Sequence, residues 1–135
     1  MITPILRVHD IDLSLTFYTQ VLGFSGAGGL PGIDGKTAYA EAYLGDAHIM
    51  FSRRCDRALL TCGVELYLTL PETVDIEAFY CGLKAREVYF IADLHQELWG
   101  DRAFTIIDLD GNRLTFAQAI RYPVCIESLA FTQIA

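Results

Sequence analysis

In the segment TAYAEAYL, Tyr39, Glu41 and Tyr43 alternate with small alanines. An extended chain therefore sets two phenols and a carboxylate on one face. That grouping suits a flat or positively charged molecule, because rings stack against the first and negative charge attracts the second. The following segment, AHIMFSR, carries His48, Met50 and Ser52 on one face. VELYLTL alternates in the same way, with Glu65, Tyr67 and Thr69 on one side and Leu66, Leu68 and Leu70 on the other. Glu65 is a candidate general base if Tyr67 and the leucines desolvate it. In WGDRAFTIIDLDGNRLTFAQ, the sole tryptophan, Trp99, precedes a turn with Arg102, Asp108 and Asp110 around it. An ion pair from Arg102 to Asp108 or Asp110 would pin that turn. Any one of these aromatics is accounted for by ordinary packing. Tyr39, Tyr43, Tyr67 and Trp99 taken together point to a binding surface.

Other chemistries find little support. GAGGLPGIDG precedes an extended segment, whereas a phosphate loop precedes a helix. There is no G-x-S-x-G elbow, and no cysteine has a histidine partner suggested by motif. Cys55, Cys62, Cys81 and Cys125 form no C-x-x-C pair and read as reduced packing residues. His9 and His95 show no ligand spacing. The net charge of −7 disfavours nucleic acid and anionic membranes as partners, since both call for a basic face. A cationic ligand fits it better, and solubility alone would also account for it. No apolar run is long enough to span a bilayer, and MITPILRVHD does not have the build of a secretion signal. The expected location is cytoplasmic.

A chain of 135 residues, 53% hydrophobic and 20% charged, fits one compact domain with a real core. Its order of elements repeats. TPILRV reads as a strand. DIDLSLTFYTQVLGF reads as a helix with Leu13, Phe17 and Val21 on one face and Tyr18 and Leu22 beside it, capped by Asp10 or Asp12 and ended by Gly23. GAGGLPGIDG reads as loop, and TAYAEAYL and AHIMFSR form a hairpin about Gly45-Asp46. The second half runs as strand VELYLTL, a helix with Ile76, Phe79, Tyr80 and Leu83 on one face, and strand EVYFIA. Loop HQELWGDR and a hairpin about Asp110-Gly111-Asn112 complete it. The fold expected is α+β, two tandem βαβββ modules at about residues 3–60 and 63–118. Residues 119–135 have no counterpart in the repeat, and their apolar side chains Val124, Ile126, Leu129 and Phe131 suit an added strand or a dimer contact.

PILRVHDIDLSLTFYTQVLGF, paired with WGDRAFTIIDLDGNRLTFAQ, resembles the vicinal oxygen chelate superfamily of glyoxalases, extradiol dioxygenases and bleomycin resistance proteins. The likeness covers about residues 3–118. It implies curled sheets around a cleft, usually in a homodimer, and leaves the chemistry open because one fold hosts many activities. In metal-dependent members, ligands come from the first and last strands of each module. Carried onto this chain, those positions are Thr3, Met50, Glu65 and Thr115. Only Glu65 is a good ligand, so no cofactor is expected; a displaced divalent site using His48 with Glu65 is the alternative.

The resemblance is nearest to the bleomycin-resistance-like branch, whose entry into the last hairpin Gly100-Asp101-Arg102-Ala103-Phe104 matches loosely. That branch implies a metal-free protein that sequesters a planar or cationic small molecule, an antibiotic among the candidates, in a groove of a homodimer. With Thr3 and Glu65 facing the cleft, Ile5 and Arg7 join the first strand's wall, and Arg113 and Ala117 share the face of Thr115. The expected ligand-binding set is Arg7, Tyr39, Tyr43, His48, Met50, Glu65, Tyr67, Trp99, Arg102 and Thr115, with Trp99 as a lid. The rival readings are a superfamily lyase, isomerase or dioxygenase using a displaced metal or Glu65 as base, and a metabolite-binding subunit.

Overall fold

The computed structural model describes residues 2–53 and 63–119. The first module runs β1 (Ile5–Val8), α1 (Ile11–Thr16, continued by a wider π turn at Phe17–Val21), β2 (Ser25–Pro31), β3 (Thr37–Leu44) and β4 (Ala47–Arg53). The second runs β5 (Glu65–Thr69), α2 (Ile76–Ala85), β6 (Phe90–Gln96), β7 (Asp101–Ile107) and β8 (Arg113–Ala119). Each module is βαβββ, and the repeat is visible in the topology. One sheet has the order β1-β4-β3-β2 and the other β5-β8-β7-β6, with β1 parallel to β4, β5 parallel to β8, and antiparallel pairing elsewhere. The sheets are curled and unclosed, and the fold is α+β.

Of the two caps the sequence offers for the first helix, Asp10 is the one used, and Asp75 caps the second in the same way. Asp10 and Asp75 accept from the backbone amides three residues on, Leu13 and Ala78, at 3.1 Å each. Gly23 then leaves the first helix at φ 85. The face that α1 buries differs from the predicted one. Ile11, Ser14, Tyr18 and Leu22 are buried, while Leu13 is 60% exposed and Phe17 and Val21 pack only partly. Tyr18 sits among Phe17, Phe24 and Phe51 in edge-on contacts. In α2, Ile76 and Leu83 are buried, and Phe79 and Tyr80 lie against Phe104 as expected.

Three strand boundaries move. The Gly-rich stretch read as loop forms edge strand β2, paired irregularly with β3. Glycines carry no alternating side chains, so the periodicity that marks a strand is missing there. Strand β6 begins at Phe90, three residues later than EVYFIA suggests, after Glu87 adopts φ 60. It continues through His95 and Gln96, which leaves only four residues of the predicted HQELWGDR loop before β7. Cys81 is exposed on α2 and does not pack in the core. Cys55, Cys62, Cys125 and the predicted C-terminal strand or dimer contact lie outside the described residues.

One core joins the modules. Leu6, Val8, Ile49 and Phe51 of the first sheet share a cluster with Leu68, Leu114, Phe104 and Phe116 of the second, and Phe24 meets Phe116 across the seam. The opposite side of each sheet is left half-buried or exposed, and there the candidate residues stand.

Candidate functional site

The DLDGN turn between β7 and β8 is a clamp. Asp108 is buried and accepts four hydrogen bonds, from the amides of Asp110 and Asn112, the Asn112 side chain, and the Tyr18 hydroxyl at 2.7 Å. Asp110 accepts from the His9 amide at 2.8 Å and the Ser14 hydroxyl at 3.2 Å. The two segments that carry the family resemblance therefore touch each other, and they hold module to module. Burial first, then the Asp108 carboxylate, pushes the Tyr18 phenol well above its ordinary value. Arg102 takes no part in this turn. It lies on the helix side of β7 with Phe104 and pairs with Glu77 of α2. The alternation of β7 turns Asp101 the other way, so Arg102 does not join the open-face residues.

On the first sheet, Tyr39, Glu41 and Tyr43 of β3 lie opposite Ser52, Met50 and His48 of β4. Glu41 is the centre. Its Oε1 accepts from the Tyr39 hydroxyl at 2.5 Å and contacts His48 Nε2 at 3.1 Å; its Oε2 accepts from Tyr43 at 3.0 Å. The His48 ring stacks on Tyr43 with centroids 4.4 Å apart, and its Nδ1 is 3.5 Å from the Thr3 hydroxyl. The Tyr39 hydroxyl, then that of Tyr43, holds the Glu41 carboxyl below the usual carboxylate range, against some desolvation and with His48 adding to the effect. Reciprocally, the bond to Glu41 pushes Tyr39 up to about 12 and raises Tyr43. Arg7 is exposed on the same face, one strand over, opposite Ser52. Alternation places Glu41 between the two tyrosines but carries no sign that it accepts from both.

The second sheet carries a smaller counterpart. The Tyr67 hydroxyl donates to Asp101 at 2.7 Å and accepts from Trp99 Nε1 at 3.0 Å, with the two rings tilted at 6.2 Å. Burial first, then Asp101, raises the Tyr67 phenol. Thr115 shares a 2.7 Å hydroxyl contact with Thr105, and Glu65 is exposed and paired with Arg113 at 3.1 Å. The structure thus gathers Tyr39, Tyr43, His48 and Met50 on one sheet and Tyr67, Trp99, Glu65 and Thr115 on the other. Among the described residues, no ring contact, hydrogen bond or ion pair joins the two groups directly.

These side chains do not fit a catalytic divalent ion. Met50 stands on the first sheet with Thr3 just ahead of β1, Glu65 and Thr115 stand on the second, and the set offers one carboxylate. Among the described residues no three His, Cys, Asp or Glu side chains are grouped to hold a metal. Of the displaced pair, His48 contacts Glu41 on the first sheet and Glu65 contacts Arg113 on the second. Nor is Glu65 desolvated as a general base requires; its side chain is 72% exposed.

Two βαβββ repeats with open sheet faces define the class of fold. Residues 2–116 match the Glyoxalase/Bleomycin resistance protein/Dioxygenase superfamily, and the chain belongs to that family. Among solved structures, TioX from Micromonospora sp. ML1 aligns with a TM-score of 0.72 at 19% identity, covering 88% of this chain and 98% of that one. A glyoxalase-related enzyme from Clostridium phytofermentans aligns at 0.71 and 20% identity, over 88% and 94%. TnmS3, described as an antibiotic binding protein from Streptomyces sp. CB03234, aligns at 0.68 and 21% identity, over 87% and 93%. At these identities the likeness is one of fold. No curated protein matches the sequence. Among the described residues, no helix is long and apolar enough to cross a membrane.

Proposed function

We propose that this protein binds a small molecule without a metal, in the manner of the bleomycin-resistance-like branch, and sequesters a planar or cationic ligand in a groove of a homodimer in the cytoplasm. The observation that carries this reading is the arrangement of aromatic rings around a carboxylate on each open sheet face: Tyr39 and Tyr43 around Glu41, and Tyr67 with Trp99 beside Asp101. Stacking and cation–π contacts there add about 0.5–2 kcal/mol each to the burial of ligand area. The description of TnmS3 as an antibiotic binding protein makes an antibiotic a reasonable first ligand to test. A second copy of the chain would cover the open faces and turn two half-exposed walls into one groove.

Trp99 is the sole tryptophan and is 54% exposed, so its fluorescence reports on a ligand near Tyr67 without interference. Titration with bleomycin-type glycopeptides and other planar cationic drugs is expected to quench it, and Trp99→Phe to abolish the signal. Added salt should weaken the complex by screening. Absence of any binding below about 100 µM, roughly −5.5 kcal/mol, would remove the drug-sequestration reading. Sedimentation should show a dimer at micromolar concentration.

A further inference from the structure

We propose that the Glu41 face of the first sheet selects a quaternary ammonium group over a primary one. The inference rests on the ligand-binding reading above and narrows the class of ligand. Its basis is how Glu41 is used. Both oxygens already serve the Tyr39 and Tyr43 hydroxyls, and Oε1 also contacts His48. The carboxylate therefore presents negative charge, with its acceptor positions largely taken.

A primary ammonium brings three N–H donors, each of which loses a water on binding and needs a protein acceptor. Here it would meet phenol rings, the imidazole stacked on Tyr43, and the Met50 thioether opposite Glu41. Only the remaining lone pairs of the two tyrosine hydroxyls could accept, and they cannot replace three water oxygens. A quaternary nitrogen has no donors to satisfy and is held by charge and by ring faces, as in aromatic cages. The tyrosine hydroxyls strengthen this. Donation to a carboxylate pushes electron density into the phenol ring, which deepens the negative potential over its face. Met50 adds a soft, polarisable contact for alkyl groups. The hydroxyls at the margin are poor substitutes: Thr3 lies against His48, and Ser52 stands at the Tyr39 end of the row. The cluster is also reachable, with Tyr43 37% exposed and the Glu41 side chain 24% exposed.

The test compares benzyltrimethylammonium with benzylammonium by calorimetry on the full chain at neutral pH and low salt. The two share a ring and a charge and differ in N–H donors. The quaternary probe is expected to bind at least tenfold more tightly. Glu41→Gln, isosteric and checked for folding by circular dichroism, should abolish that preference. Tyr43→Phe should narrow it from the other side, because it frees Oε2 to accept from the primary ammonium. Equal affinities, tighter benzylammonium, or a preference unchanged by Glu41→Gln would overturn the inference. If neither probe binds at millimolar concentration while planar drugs quench Trp99, this inference falls and ligand binding stands. If the quaternary probe is preferred and no drug binds, the inference holds and the drug reading falls.

Discussion

Tyr18 and Tyr39 each give a hydroxyl to a carboxylate, at 2.7 and 2.5 Å, and the two pairs sit in opposite surroundings. Tyr18 and Asp108 lie in the seam between modules, where the tyrosine is fully buried and the carboxylate has four donors, three from its own turn. Tyr39 and Glu41 lie on an open sheet face, where the carboxylate collects side chains from two strands and stays within reach of solvent. The same bond is sealed in one place and accessible in the other, and burial makes the difference. Removing a partner in the seam orphans donors that water cannot reach. On the face, water takes the partner's place.

The largest effect should come from Asp108→Ala. It leaves the Tyr18 hydroxyl and the Asn112 amide without an acceptor, at about 1–3 kcal/mol for each buried orphan, so a loss of about 3–5 kcal/mol is expected. Urea unfolding monitored by circular dichroism measures it; a loss under about 1 kcal/mol would mean the seam is wet. Tyr18→Phe removes a single bond and should cost about 1–2 kcal/mol.

The pseudo-symmetric seam offers the next test. There the β3–β4 turn of the first module meets Pro71 of the second, and a Cβ on Gly45 would lie 2.5 Å from the proline ring. Gly45 also has φ 58. Gly45→Ala should cost about 1–3 kcal/mol through backbone strain and contact together.

Arg102→Gln should cost at most about 1 kcal/mol, as expected for a pair that solvent reaches. It should leave ligand-induced Trp99 quenching unchanged, because Arg102 faces α2. A loss of ligand affinity would return it to the binding set.

The smallest change in stability, and the clearest in titration, belongs to Glu41→Gln. The carboxyl of Glu41 is lowered in the folded chain, so its contribution is present above the ordinary carboxylate pKa and fades as pH falls through the lowered value. The variant should lose that component of the acid limb. Tyr39 works at the other end: its raised value, about 12, stabilises the fold below pH ~10 and that contribution is lost as pH rises through 12. In the variant, Tyr39 should ionise closer to an ordinary phenol, which ultraviolet titration reads directly.

Alternation made much of this legible. Tyr39, Tyr43, Tyr67, Glu65 and Met50 all stand on the sides that a two-residue period assigns, because the leucines, alanines and phenylalanines between them mark the core side without ambiguity. The failures have physical causes. Leu13, Phe17 and Val21 look like a buried helix stripe, but the buried one is set by Tyr18, whose hydroxyl finds its partner 90 residues away. Nothing local announces that. Sequence proximity to Asp108 and Asp110 assigns Arg102 to the turn, while Glu77, its partner, comes from α2. The Trp99–Tyr67–Asp101 chain joins residues 32 and 34 apart, so composition hinted at the cluster without giving its connectivity.

The Tyr18–Asp108 link also sets an order of events during synthesis. The first module leaves the ribosome with a tyrosine hydroxyl that has no acceptor in its own sheet, and the carboxylate it needs is made 90 residues later. At about 5–20 residues per second, that interval is about 5–20 s. Through it the nascent first half can gather Phe24 and Phe51 around Tyr18, but the phenol hydroxyl among them waits for its native acceptor. The seam that locks the finished protein makes its first half depend on the second for a native core.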